Sequence, residues 1–176
     1  TLAVGASQSY NGKGFVKVFT LNNGTWVQKG PLIENSYNGV VGDYFGSDIS
    51  MPDEDSVFIL APGVEKAWVF YWKPSTSEWV RRGFGNSTSN YLVDVNSTSP
   101  YHRGILAIDN YTVVLSDRTY SNSKGYVQVW QRNGYSWEKK GSPFIGPFNQ
   151  ALLGYSVAMP NPDLLAIGVY GFNNLA

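Results

Sequence analysis

Asp55-Ser-Val-Phe-Ile-Leu-Ala61 returns as Asp109-Asn-Tyr-Thr-Val-Val-Leu115 and again as Asp163-Leu-Leu-Ala-Ile-Gly-Val169. The three aspartates stand 54 residues apart. A second echo accompanies them: Trp26-Val-Gln-Lys-Gly30, Trp79-Val-Arg-Arg-Gly83 and Trp137-Glu-Lys-Lys-Gly141. Repetition at this length marks a propeller, a solenoid or an array.

Working outward from Asp55, each repeat reads as four short strands. In the second, strand a is Phe45–Met51 and strand b is Val57–Ala61, joined by a tight turn at Pro52-Asp-Glu-Asp55. Strand c is Ala67–Trp72, and strand d is Glu78–Arg82, stopped by Gly83. All are rich in β-branched and aromatic residues and bounded by Gly, Pro, Asn or Asp. Strand b is apolar on both pleat faces, as in a strand covered on both sides. The basic pairs of strand d suit an exposed edge that repels unwanted pairing. The repeats run over about 1–41 (partial), 42–100, 101–151 and 152–176 (partial), and the chain reads as a single segment, 1–176. Thr1–Ala6 already reads as a strand, so the natural amino terminus is expected upstream.

Composition narrows the function. Apolar residues make up 43% and aromatics 15%, enough to bury a core. Charged residues are only 15% and the net charge is zero, which lacks the electrostatic footprint of a nucleic-acid binder. There is no cysteine for disulfide or thiolate chemistry. No apolar run reaches the roughly 18 residues of a membrane span.

Gly42-Asp-Tyr-Phe-Gly-Ser-Asp-Ile-Ser50 resembles the FG-GAP repeat of integrin-alpha-like β-propellers, and Leu153-Gly-Tyr-Ser-Val-Ala158 resembles a second copy. Gly125-Tyr-Val-Gln-Val-Trp130 and Trp137–Gly141 are similar to the strand c and strand d signatures of such repeats in surface proteins. The resemblance implies an all-β fold of four-stranded antiparallel blades. About three and a third repeats are present, too few to close a ring alone, so the segment is expected to be part of a larger propeller. Many FG-GAP blades hold calcium between strands b and c. Here Ser7–Lys13, Pro62–Lys66 and Ser116–Lys124 offer at most one carboxylate each, beside Lys13, Lys66 and Arg118. Calcium needs more oxygen charge than that, and no metal or cofactor is expected.

No catalytic constellation emerges. His102 is the single histidine and has no partners for a metal site or a triad. Asp53, Glu54 and Asp55 diverge on a tight turn and read as turn formers. Four N-glycosylation sequons begin at Asn23, Asn86, Asn96 and Asn110, where chance predicts about two, and all fall in expected loops or turns. The first expectation is therefore a non-enzymatic extracellular or cell-surface glycoprotein with an adhesion or structural role. Its partners would be other proteins, copies of itself or glycans, met through blade rims and loops. The alternative is a carbohydrate-binding propeller lectin, with Trp68, Trp72 and Trp130 as candidate sugar-stacking residues. Trp26, Trp79 and Trp137 are assigned instead to packing between blades.

Overall fold

Short β-branched and aromatic runs, broken every few residues by Gly, Asn or Pro, leave strands as the only regular structure that can form at length. The computed structural model describes residues 1–35, 41–64, 66–82, 93–94, 103–134 and 136–171, and it is all-β. The chain divides into two compact units, Thr1–Val95 and Asn96–Ala176, each with its own apolar core.

In the first unit, β1 (Leu2–Gly5), β2 (Phe15–Asn22) and β3 (Thr25–Gln28) pair antiparallel in that order, and β4 (Ile33–Glu34) also pairs with β2. A second antiparallel sheet runs β5 (Asp48–Asp53), β6 (Ser56–Ala61), β7 (Lys66–Lys73) and β8 (Glu78–Arg81), with β9 (Val93–Asp94) also beside β7. The second unit holds the four-stranded antiparallel sheet β10 (Arg103–Ala107), β11 (Thr112–Asp117), β12 (Tyr126–Asn133) and β13 (Ser136–Ile145), followed by the pair β14 (Leu153–Asn161) and β15 (Leu164–Val169). Both β6 and β11 are buried at every residue; the apolar runs Val57–Ala61 and Val113–Leu115 predict this, while Ser56, Thr112, Ser116 and Asp117 are buried polar residues beside them.

Three sequence expectations need correction. Phe45 does not belong to a strand. Gly42, Tyr44 and Gly46 all have positive φ (94°, 53° and 83°), so the backbone reverses at every second residue and β5 begins only at Asp48. The same alternation recurs at Gln150, Leu152 and Gly154 (64°, 52° and 85°).

Gly83, expected to stop the outer strand of the second repeat, lies outside the described residues, but the equivalent glycines of the first and third repeats do not end pairing. Gly30 and Gly141, at φ of 75° and 74°, create a bulge after which pairing resumes. Val18 and Val16 face Lys29 and Ile33, just as Val129 and Val127 face Lys140 and Phe144. Four residues on the outer strand thus span two on its partner in both repeats.

The aspartate echo, finally, is out of step with the structure. Asp53, Asp109 and Asn161 are the true equivalents, each accepting through Oδ1 the backbone N–H two residues on, from Asp55 (2.9 Å), Tyr111 (2.7 Å) and Asp163 (3.0 Å). These side chains make the turns. Asp55 and Asp163 have a different task.

That task appears where successive repeats meet inside each unit. Lys29 donates from Nζ to Asp55 Oδ1 and to the Glu54 carbonyl, both at 2.7 Å. Its ammonium lies 5.2 Å from the Trp72 ring and 5.6 Å from Trp79, and Trp79 Nε1 donates to the Lys29 carbonyl (2.8 Å). In the second unit Lys140 donates to the Pro162 carbonyl (2.8 Å) and reaches Asp163 Oδ1 at 3.5 Å. In β3's extension and in β13, one basic residue is therefore a clamp on the following repeat, rather than a solvated charge guarding an edge.

Below the clamps, the chain before each next sheet inserts an apolar side chain. Phe45 is fully buried against Trp68 (5.6 Å) and Phe70 (6.1 Å, edge-on). Its N–H donates to the Lys13 carbonyl, and Leu153 N–H donates to the Lys124 carbonyl, at 3.2 and 3.0 Å. Gly46 lets the backbones approach: a Cβ there would stand 2.8 Å from the Phe15 carbonyl oxygen and 2.9 Å from Val16.

Candidate functional site

The sequence-derived candidates fall into unlike surroundings. Asn23 and Gly24, with φ of 46° and 81°, form a two-residue hairpin turn closed by Asn22 opposite Thr25. Asn-Gly is the preferred pair for such a turn, because both residues need positive φ. Asn23 and Thr25 are exposed. Asn110 is half-buried with its Oδ1 shielded from solvent, next to Thr112 at 1% exposure. Asn86, Asn96 and His102 lie outside the described residues.

Of the candidate sugar-stacking rings, Trp68 is 2% exposed within the first core, so a sugar could reach it only by displacing Phe45. Trp72 is half-buried, with the Lys29 ammonium over its ring and Trp79 at 5.4 Å. A Cβ on Gly30 would overlap the same ring. Trp130 is half-buried and carries the Lys139 ammonium 5.6 Å from its centroid. Trp79 packs between repeats as expected, at 8% exposure, whereas Trp26 is 50% exposed.

A cavity of about 580 Å³ opens elsewhere in the first unit, lined by Tyr10, Asn11, Lys13, Gly14, Glu34 and Asn35. Two local structures shape it. The turn between β1 and β2 is left-handed, with Tyr10, Asn11 and Gly12 at φ of 52°, 60° and 80°. This conformation is costly for residues with a Cβ, and it aims the exposed Tyr10 outward beside Phe15, at 5.8 Å between rings. Glu34 and Asn35 enter from the opposite wall, because β4 resumes pairing after the Gly30 bulge and delivers them beside Phe15.

Behind the cavity, Asn35 Nδ2 donates to Asp43 Oδ2 at 2.8 Å, with the two residues 8% and 2% exposed. A buried carboxylate held this way is satisfied, and the bond fixes the orientation of the Asn35 amide.

Sequence reasoning weighed the Ser7–Lys13 loop only as a calcium site and did not find its second wall, Glu34 and Asn35. The cavity's residues come from two segments brought together by a strand, β4, that resumes pairing beyond Gly30. The lining carries one cation, one anion, two carboxamides and one aromatic ring, an inventory suited to hydrogen bonding a neutral polar ligand. Among the described residues no group of three or more His, Cys, Asp or Glu could hold a metal, and no helix is long and apolar enough to cross a membrane. No family model matches the chain, and no curated protein matches its sequence.

Proposed function

We propose that the chain is a segment of an FG-GAP-type β-propeller belonging to a non-enzymatic extracellular glycoprotein, with an adhesion or structural role at a cell surface. The observation that carries this reading is the docking of one repeat on the next within each of the two units. Lys29 with Asp55, and Lys140 with Asp163, occupy equivalent positions in two separate units. A rule of assembly used twice in one chain is what radial or stacked sheets require. In such an array the hairpin turns point away from the packed faces, and Asn23 sits in one of them with room for a glycan. Partners, or further copies of the chain, would be met through those rims.

The test is glycopeptide mass spectrometry on the protein secreted by a eukaryotic host. The expected result is a glycan on Asn23, with Asn110 less occupied because its side chain is half-buried. Bare asparagines at all four sequons, Asn23, Asn86, Asn96 and Asn110, would remove the glycoprotein reading. A second reading, carbohydrate binding, draws its support from the cavity beside Tyr10.

A further inference from the structure

We propose that the cavity beside Tyr10 binds a neutral saccharide, with Tyr10, Asn11, Glu34 and Asn35 as contact residues and Asp43 as the residue that positions Asn35. The proposal rests on the carbohydrate-binding reading and gives it a place.

The second unit supplies an internal control, because it repeats the backbone of this site. Ser121, Asn122 and Ser123, at φ of 48°, 58° and 60°, reproduce the left-handed turn of Tyr10, Asn11 and Gly12. Leu152 N–H donates to the Ser123 carbonyl as Tyr44 N–H donates to the Gly12 carbonyl (2.9 and 2.7 Å). Gly171 N–H meets the Ala151 carbonyl as Gly63 N–H meets that of Asp43 (2.8 and 3.1 Å). The strained turn is thus scaffold, common to both units.

The side chains on that scaffold differ in one place. Asn11, Lys13 and Gly14 keep their types at Asn122, Lys124 and Gly125. Tyr10, Glu34, Asn35 and Asp43 become Ser121, Ile145, Gly146 and Ala151. In the second unit small residues replace the buried pair: Ala151 is fully buried, and a Cβ on Gly146 would overlap the Lys124 carbonyl oxygen and come within 3.0 Å of the Ala151 Cβ. The second unit keeps a ring here, Tyr120 packed on Tyr126 at 5.1 Å, but it does without the three polar groups, Glu34, Asn35 and Asp43, that the first unit places at and behind an opening. A buried Asn–Asp pair is costly to assemble where small residues suffice, so its presence points to something the opening receives.

The inventory selects the ligand class. Lys13 and Glu34 cancel, so an anion or a cation would face one repelling group. Carboxamides donate and accept at once, matching adjacent hydroxyls, and an exposed ring at the rim suits the apolar face of a pyranose. The volume falls within the roughly 300–1,000 Å³ of small-molecule sites.

The experiment screens the protein against immobilised neutral mono- and oligosaccharides, sulfated glycans and free amino acids, then measures Kd for any hit by titration calorimetry. Three variants accompany it: Tyr10→Ser, Glu34→Gln and the double variant Asn35→Gly/Asp43→Ala, which copies the second unit. The expected result is binding of a neutral saccharide that each variant weakens by about tenfold or more. Tyr10 and Glu34 are exposed, so their variants decide the matter even if the double variant fails to fold. Saccharide binding unchanged in Tyr10→Ser and Glu34→Gln would overturn this site while leaving carbohydrate binding in place. No saccharide binding by the parent protein would overturn both. Binding of amino acids or sulfated glycans instead would overturn the ligand class.

Discussion

The two units use one backbone plan with different degrees of closure. In the first, the inserted side chain is Phe45, fully buried between two aromatic rings. In the second it is Leu153, only partly buried. The Lys29–Asp55 clamp is 2.7 Å long with its lysine 16% exposed, whereas Lys140–Asp163 stretches to 3.5 Å with the partners 36% and 92% exposed. Hydrogen bonds between main-chain atoms are nearly the same in both. The backbone plan is therefore carried by positive-φ residues and main-chain pairing, while side chains set how firmly consecutive repeats are joined.

The sharpest way to break this comparison is to remove the inserted side chains. Phe45→Ala leaves an aromatic-sized void and is expected to cost about 3–5 kcal/mol. Leu153→Ala, at a partly buried site, is expected to cost less than about 2 kcal/mol. Urea denaturation followed by tryptophan fluorescence reads the first directly, since Trp68 lies 5.6 Å from Phe45. Equal losses at the two sites would show that insertion depth is not what distinguishes the units.

The clamps come next in size. Lys29→Ala forfeits a short ion pair, a bond to a carbonyl and contacts with two indole rings. It is expected to cost about 1–2 kcal/mol. Lys140→Ala removes an exposed pair worth less than about 1 kcal/mol. A double-mutant cycle with Asp55→Ala and Asp163→Ala isolates each coupling. A larger coupling at Lys140 than at Lys29 would reverse the ranking that the exposures give.

Much of the plan was legible in the residues, for a physical reason. Strand b carries apolar side chains on both faces, and the shortness of Val57-Phe58-Ile59-Leu60, its β-branched and aromatic content and its flanking Pro and Gly favour a covered strand over a buried helix. Strands b and c of this repeat were accordingly placed within a residue, whereas strand a begins three residues later than read. The resumed pairing beyond Gly30 and Gly141 was not anticipated, because local reading cannot tell a strand terminus from a bulge. That omission hid β4, and with it the wall of the cavity that carries Glu34 and Asn35. Lys29 and Lys140 were misread because their partners lie in the following repeat, and sequence shows charge but not reach. The sequence spacing also aligned Asp109 with Asp55 when its structural counterpart is Asp53, since the repeats differ in length by a few residues on either side of it.

The smallest predicted effect tests whether the matching turns also match in their side-chain chemistry. The first unit packs Tyr10 on Phe15 at 5.8 Å, and the second packs Tyr120 on Tyr126 at 5.1 Å. Phe15 and Tyr126 occupy the same register position, so the second unit carries a hydroxyl that the first does without. Burial, and secondarily the neighbouring Tyr120, holds the Tyr126 hydroxyl above its usual pKa of 10.0. A phenol raised in the folded state favours folding below the unfolded pKa, and that contribution fades as pH climbs through the raised value. Between about pH 9 and 11.5 the thermal midpoint should therefore fall more steeply for the parent protein than for Tyr126→Phe. Parallel curves would mean that the phenol titrates as freely in the folded unit as in the unfolded chain, and that the extra hydroxyl is immaterial to the turn.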